Sequence, residues 1–356
     1  MRFVHKMSGL MLATACALLL WGCPKEEGGG APSSGAPNGA IPNSSAGGTS
    51  ANSGGTAGGT EGKELNIAVI PKGTGNAFWL GVKAGADAAA SAAGNVKITW
   101  VGPEHEGDAT EQVNIVQTQI NNHVDGIVLA AVNSDSLATP VKTATDKGIP
   151  VVTVDSGIAP DKDTSLAYIA TDNVRGGREA GEKLAELIGK KGEVALLIFK
   201  PGAASNDERE KGFKDAIAKY PDIKLVATQV GGNVTEATNN MTNILTSNKN
   251  LAGVFAASEP NGVGAISALK QSKQNGKIKL VAFDGSAIEV AGLKDGIIQA
   301  LIVQDPYQMG FKGINTVLSA IKKEPIKDKK VDSGMTVVTM DNLNTPDVQK
   351  LLNPGK

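Results

Sequence analysis

From Leu65 onward, short runs of β-branched and aliphatic residues alternate with longer stretches whose apolar positions recur at helical spacing. Leu65–Ile70, Val96–Val101, Gly126–Ala130 and Pro150–Val154 are the first runs, and the segments between them predict helices. Gly126-Ile127-Val128-Leu129 is apolar without alternation, as a strand covered by helices on both sheet faces must be. After Asp172 the rhythm restarts, with strands expected near Glu193–Phe199, Ile223–Gln229, Gly253–Ala256, Ile278–Phe283 and Gln299–Val303. Two successive βα sets predict an α/β protein of two similar parallel-sheet lobes. Local signals mark the helix ends: Asp108 and Asn173 as N-caps, Pro140 and Pro260 in first turns, and Gly148 and Gly189 as stops.

Upstream of Leu65 the pattern is different. Arg2 and Lys6 precede an apolar run from Leu10 to Leu20, too short for the ~20 residues of a membrane span. Residues 1–22 therefore predict a cleaved export signal, with a permanent anchor helix as the alternative. The run ends in Leu20-Trp21-Gly22-Cys23, which resembles a bacterial lipobox despite the bulk of Trp21. Cys23 is then the lipidation site, and Cys16, the other cysteine of the chain, falls inside the signal, so no disulfide is expected. A diacylglycerol adds about 0.8 kcal/mol per buried methylene, enough for firm membrane anchoring. Up to residue 63 the chain is almost wholly Gly, Ser, Ala, Pro, Asn and Thr, a composition that predicts a disordered tether with a reach of roughly 35 Å.

Charge and chemistry narrow the function. With 35 basic and 36 acidic residues the chain is nearly neutral and shows no basic stripe, which argues against nucleic acid. Gly73-Thr74-Gly75 fails the dinucleotide fingerprint at Phe78, so no cofactor is expected. Glu104, His105 and Glu106 are adjacent and cannot all face one ion; they read as a solvated loop, and no metal site is expected. Asp284-Gly285-Ser286 lacks a nucleophile-elbow context, and the expectation is a protein that is not an enzyme. Asp155 and Asp284, if close together, form a glycosidase-like pair as the enzymatic alternative.

In open parallel sheets a ligand crevice lies beyond the carboxyl ends of the strands. Asn76, Asp155, Asp284 and Gln304 stand at such ends and offer the donors and acceptors that a sugar hydroxyl needs. Phe78 and Trp79 offer flat faces for the C–H side of a sugar ring. Taken singly, each polar residue reads equally well as a cap or turn, and each aromatic as core.

These residues sit in a larger set of motifs: Asn76-Ala77-Phe78-Trp79, Ile149 to Asp155, Thr171-Asp172-Asn173 with Gly176-Gly177, Arg209 with Gly212-Phe213, Phe283-Asp284-Gly285, and Gln304-Asp305-Pro306. In this combination the chain resembles the periplasmic sugar-binding proteins of the ribose and galactose type, with the type I periplasmic binding protein fold, over about residues 65–343. The resemblance implies a three-strand hinge near Ala170–Asp172, Val303–Asp305 and Asp332–Gly334. An N-terminal lobe would comprise residues 64–170 plus 305–332, and a C-terminal lobe 172–303 plus 334–346. It also implies a monomeric extracytoplasmic protein of the periplasm or cell envelope, which closes around a small sugar and delivers it to an ABC permease. A sugar-sensing receptor for chemotaxis or signalling is the competing role. Where ribose binders carry two arginines and an asparagine, this chain has Ser156, Asp207 and Ser258. Asn206, Asp207, Asn233, Ser258, Glu259 and Asn261 are the candidates to fill those roles, and their acidity leaves room for an amino-bearing ligand.

Overall fold

A computed structural model describes residues 63–353; the predicted signal, the Cys23 lipidation site and nearly all of the tether lie outside the described residues. The predicted strands form as β1 (Leu65–Ile70), β2 (Val96–Trp100), β3 (Gly126–Leu129), β4 (Val151–Val154), β6 (Gly192–Ile198), β7 (Ile223–Val230), β8 (Leu251–Ala256), β9 (Lys279–Phe283) and β10 (Ala300–Gln304). Three further short strands, β5 (Tyr168–Ala170), β11 (Lys330–Asp332) and β12 (Met335–Val338), complete two sheets of six.

The two sheets repeat one plan. Their orders are β11-β5-β4-β3-β1-β2 and β12-β10-β9-β8-β6-β7, so each half contributes five strands in the same sequence and receives its sixth at the edge. All pairings are parallel except β10 with β12. The chain passes between the sheets three times: from β5 into α4 (Asn173–Leu187), from β10 into α9 (Pro306–Ile321), and from β11 into β12.

The central strands β3, β4 and β10 are buried at every position, which explains why their sequences do not alternate. Their side chains fill apolar clusters on both faces of each sheet. The repeat extends to the close-packed helices. α1 (Ala77–Ala93) meets α9, and α5 (Ala204–Ile217) meets α4, through matched glycines. A Cβ on Gly85 would run into the Tyr307 carbonyl and one on Gly310 into that of Val82; Gly212 and Gly177 stand in the same relation to Val174 and Arg209. Backbone thus touches backbone at both crossings, which only glycine permits.

Helix borders follow local chemistry. Asp108 caps α2 (Ala109–Asn121) by accepting from the Glu111 N–H, and Gly148 and Gly189 take left-handed conformations just past α3 (Ala138–Asp146) and α4. One cap is displaced. Asp172, not Asn173, accepts the Arg175 N–H, and Asn173 is the buried first residue of α4. Between β9 and β10 lies α8 (Ala287–Lys294), and a last helix, α10 (Pro346–Leu352), packs Leu352 against Gly285 beyond β9.

Candidate ligand-binding site

The carboxyl ends of both sets of strands point into one cavity. Its walls come from β1 (Lys72), β4 (Asp155), β6 (Phe199), β8 (Ala257, Ser258), β9 (Asp284) and β10 (Gln304). The start of α1, α5, and the first turn of α7 (Glu259–Gln271) close the rest.

Asp155 and Asp284 occupy the same place in the two halves, one residue beyond β4 and β9. Both have left-handed backbones, with φ of 57° and 84°. Such a conformation costs a non-glycine residue of order 1 kcal/mol and is least costly for Asn and Asp. It turns each carboxylate away from the sheet and toward the cavity. The Lys72 Nζ lies 2.7 Å from Asp155 Oδ2, an ion contact rather than an aligned hydrogen bond, and donates to Ser205 Oγ at 2.9 Å. Both members of this ion pair are almost fully buried.

Arg209 supplies the second cation. Its guanidinium stacks 3.7 Å over the Phe283 ring, donates to Asn173 Oδ1 and the Ala257 carbonyl, and reaches within 3.9 Å of Asp155. Below it Phe213, Phe255 and Phe283 form a ring cluster that fixes its height. Asp284 accepts from Gln304 Nε2 at 2.6 Å and from the Glu259 N–H at 2.9 Å, which anchors the first turn of α7.

On the opposite side Asn76 caps α1 by accepting from the Trp79 N–H, and its amide donates to Glu106. Trp79 Nε1 donates to the other Glu106 oxygen, and its ring packs edge to face with Phe78. Trp79 is both core and cavity wall; Phe78 is half-buried at the rim. Glu259 reaches from the second sheet's side to accept from the Phe78 N–H at 3.3 Å, at the positive end of α1.

Burial shifts several of these acids upward. It raises Glu259 to about 7, helped by the negative charge of Asp284. Burial likewise raises Glu106 and Asp284, against the opposing pull of Trp79 on the former and Arg209 on the latter.

Of the residues singled out in the sequence, Asn76, Phe78, Trp79, Asp155, Asn206, Ser258, Glu259, Asp284 and Gln304 line this cavity. Ser156, Asp207, Asn233 and Asn261 do not; Asn261 is buried and its amide donates to Ser258 Oγ. Ser156 is buried behind the cavity and accepts from the Ser205 N–H. Asp207 is exposed and accepts from the Gly202 N–H, and Asn233 caps α6 (Val234–Ser247) through the Glu236 N–H. Glu106, read as part of a solvated loop, turns inward instead, while Glu104 and His105 stay exposed. Lys72, Phe199, Ser205 and Arg209 were not singled out as site residues and complete the wall.

Residues 67–325 match the periplasmic binding protein domain family. The D-allose-binding periplasmic protein of Escherichia coli is 30% identical over 262 residues, 72% of this chain and 84% of that protein. An ABC transporter solute-binding protein from Agrobacterium vitis, solved with bound D-fucose, superposes with a TM-score of 0.79 at 36% identity, covering 81% of this chain and 100% of the other. A carbohydrate transporter solute-binding protein from Agrobacterium radiobacter, in complex with D-arabinose, gives 0.78 at 34% identity over 82% and 99%. With two like α/β sheets opening onto one polar cavity, and a family match across most of the described chain, this protein belongs to the periplasmic binding protein family.

Proposed function

We propose that the protein is an extracytoplasmic, lipid-anchored solute-binding protein that captures a small sugar between its two lobes and presents it to an ABC permease, without chemical turnover. The observation that carries this reading is the cavity itself. Its polar groups come from strand ends of both sheets, so a ligand held there ties the two halves together. The relatives named above bind D-allose, D-fucose and D-arabinose, which favours a monosaccharide.

The mechanism is hinge closure about the three connections near Ala170–Asp172, Val303–Asp305 and Asp332–Gly334, between lobes 64–170 plus 305–332 and 172–303 plus 334–346. Contacts that cross from one sheet's side to the other support it: Phe78 N–H to Glu259, Lys72 to Ser205, Ser205 N–H to Ser156, and Lys200 to the Gly107 carbonyl. Ligand shifts the open–closed balance only by its greater affinity for the closed state. Hydroxyls bridging Asp284 and Gln304 on one side and Asp155 on the other provide that difference, and Trp79, Phe78 and Phe199 shield the ring from water. Asp155 is committed to Lys72 and Asp284 to Gln304 and Glu259, an arrangement for holding a ligand rather than transferring a proton. Cys23 with the following tether would keep the monomer at the membrane, within reach of the permease.

A thermal-denaturation panel of pentoses, hexoses, 6-deoxy sugars and polyols tests the reading. At a hundred times its Kd, a cognate sugar adds about 2.7 kcal/mol of stability. A panel in which no sugar raises the melting temperature would contradict it.

A further inference from the structure

The charges facing the cavity do not balance. Four carboxylates, Glu106, Asp155, Glu259 and Asp284, face two cations, Lys72 and Arg209. Three of the four are well provided for. Asp155 has Lys72, Glu106 takes the Trp79 and Asn76 N–H donors on its two oxygens, and Asp284 takes those of Gln304 and Glu259. Glu259 has only backbone N–H groups at the start of α1, and the charged groups that act on it most are the acids Asp284 and Glu106. Beside it Gln304 is 2% exposed; with its amide nitrogen given to Asp284, its Oε1 is an acceptor with no partner. Glu259, Asp284 and Gln304 also line a second, adjoining cavity walled by Ala77, Pro306 and Leu352, so the acceptor-rich end of the site has room beside it.

We infer that the ligand carries a positively charged amine, seated where Glu259, Asp284 and Gln304 converge. The inference rests on the sugar-binding reading above and narrows it to an amino sugar. A sugar hydroxyl donates one hydrogen bond and brings no charge, so beside it the surplus is relieved only by keeping Glu259 protonated. An ammonium donates three, which suits the Glu259 carboxylate and the Gln304 carbonyl together, and its charge offsets the surplus. Lys72 shows the same solution within the protein, with an ammonium held between a buried carboxylate and a hydroxyl. The raised Glu259 carboxyl fits a site that is short of one cation.

Calorimetric titration of matched pairs tests this: D-galactose against D-galactosamine, D-glucose against D-glucosamine, and 3- and 6-amino-deoxy hexoses against their parents, with D-fucose and D-arabinose as neutral references. At pH 7 at least one amino sugar should bind ten times more tightly than its parent and than either reference. Glu259→Gln should then lose at least tenfold more affinity for the amine than for the parent. A neutral sugar that binds more tightly than every amine overturns the inference and leaves the sugar reading standing. So does a Glu259→Gln variant that weakens amine and parent equally. If no sugar binds, charged or neutral, the sugar reading fails and takes this inference with it.

Discussion

Asp155→Ala is expected to lower the free energy of unfolding by about 3–5 kcal/mol, the cost of breaking a buried ion pair from one side. Lys72 is the reason. Lys72 is 4% exposed, its countercharge is the Asp155 carboxylate, and its hydrogen-bond partner is Ser205 Oγ. Without Asp155 a buried cation is left with a neutral hydroxyl, and alanine must also hold the left-handed backbone at this position. Adding Lys72→Met should recover most of the loss, because the uncompensated charge goes with it. Denaturant unfolding of the single and double variants measures both. A loss below about 1 kcal/mol would mean that water reaches Lys72 in the ligand-free protein, with the lobes apart.

Asp284→Ala is expected to abolish sugar-induced stabilisation, a loss of about 2.7 kcal/mol at a concentration that would be a hundred times the Kd of the unaltered protein. Its carboxylate is a cavity wall and also positions two others, holding the Gln304 amide and the first turn of α7 with Glu259 and Ser258. In the proposed complex its removal deletes one ligand contact and frees three more to turn. Asp284→Asn keeps the left-handed preference and one acceptor, so it should retain part of the response that Ala loses. An undiminished response in Asp284→Ala would remove β9 from the site.

Much of this architecture was legible in the chain because the inner strands are covered on both faces and read as unbroken apolar runs, while the edge strands β2 and β7 keep β-branched, alternating sequences with partly exposed positions. β5, β11 and β12 did not read that way. They are three or four residues long, and β11 alternates exposed and half-buried positions at a sheet edge. In the site, the strand-end residues were visible because they follow directly on those runs. Arg209 was hidden by the resemblance to ribose binders, which points to Asp207. Helix phase decides between them: two residues turn the chain by about 200°, so the two side chains face opposite ways. Arg209 shares its face with Ser205, Gly212, Phe213 and Ala216, all buried, and Asp207 is exposed. That apolar stripe was the available signal. Glu106 had none, since the loop before α2 carries no periodicity and its inward turn depends on Trp79 and Asn76 at the start of α1, far off in the sequence.

In the proposed complex one sugar is held simultaneously by the strand ends of both sheets. A crystal structure with the tightest-binding sugar of the panel tests it most directly. The ring is expected beside Trp79 and Phe78, with hydrogen bonds to Asp155 on one side and to Asp284, Gln304 and Arg209 on the other. A sugar bound elsewhere, such as the surface groove between α6 and α7 lined by Thr242, Leu245 and Gln271, or touching residues of one sheet only, would contradict it.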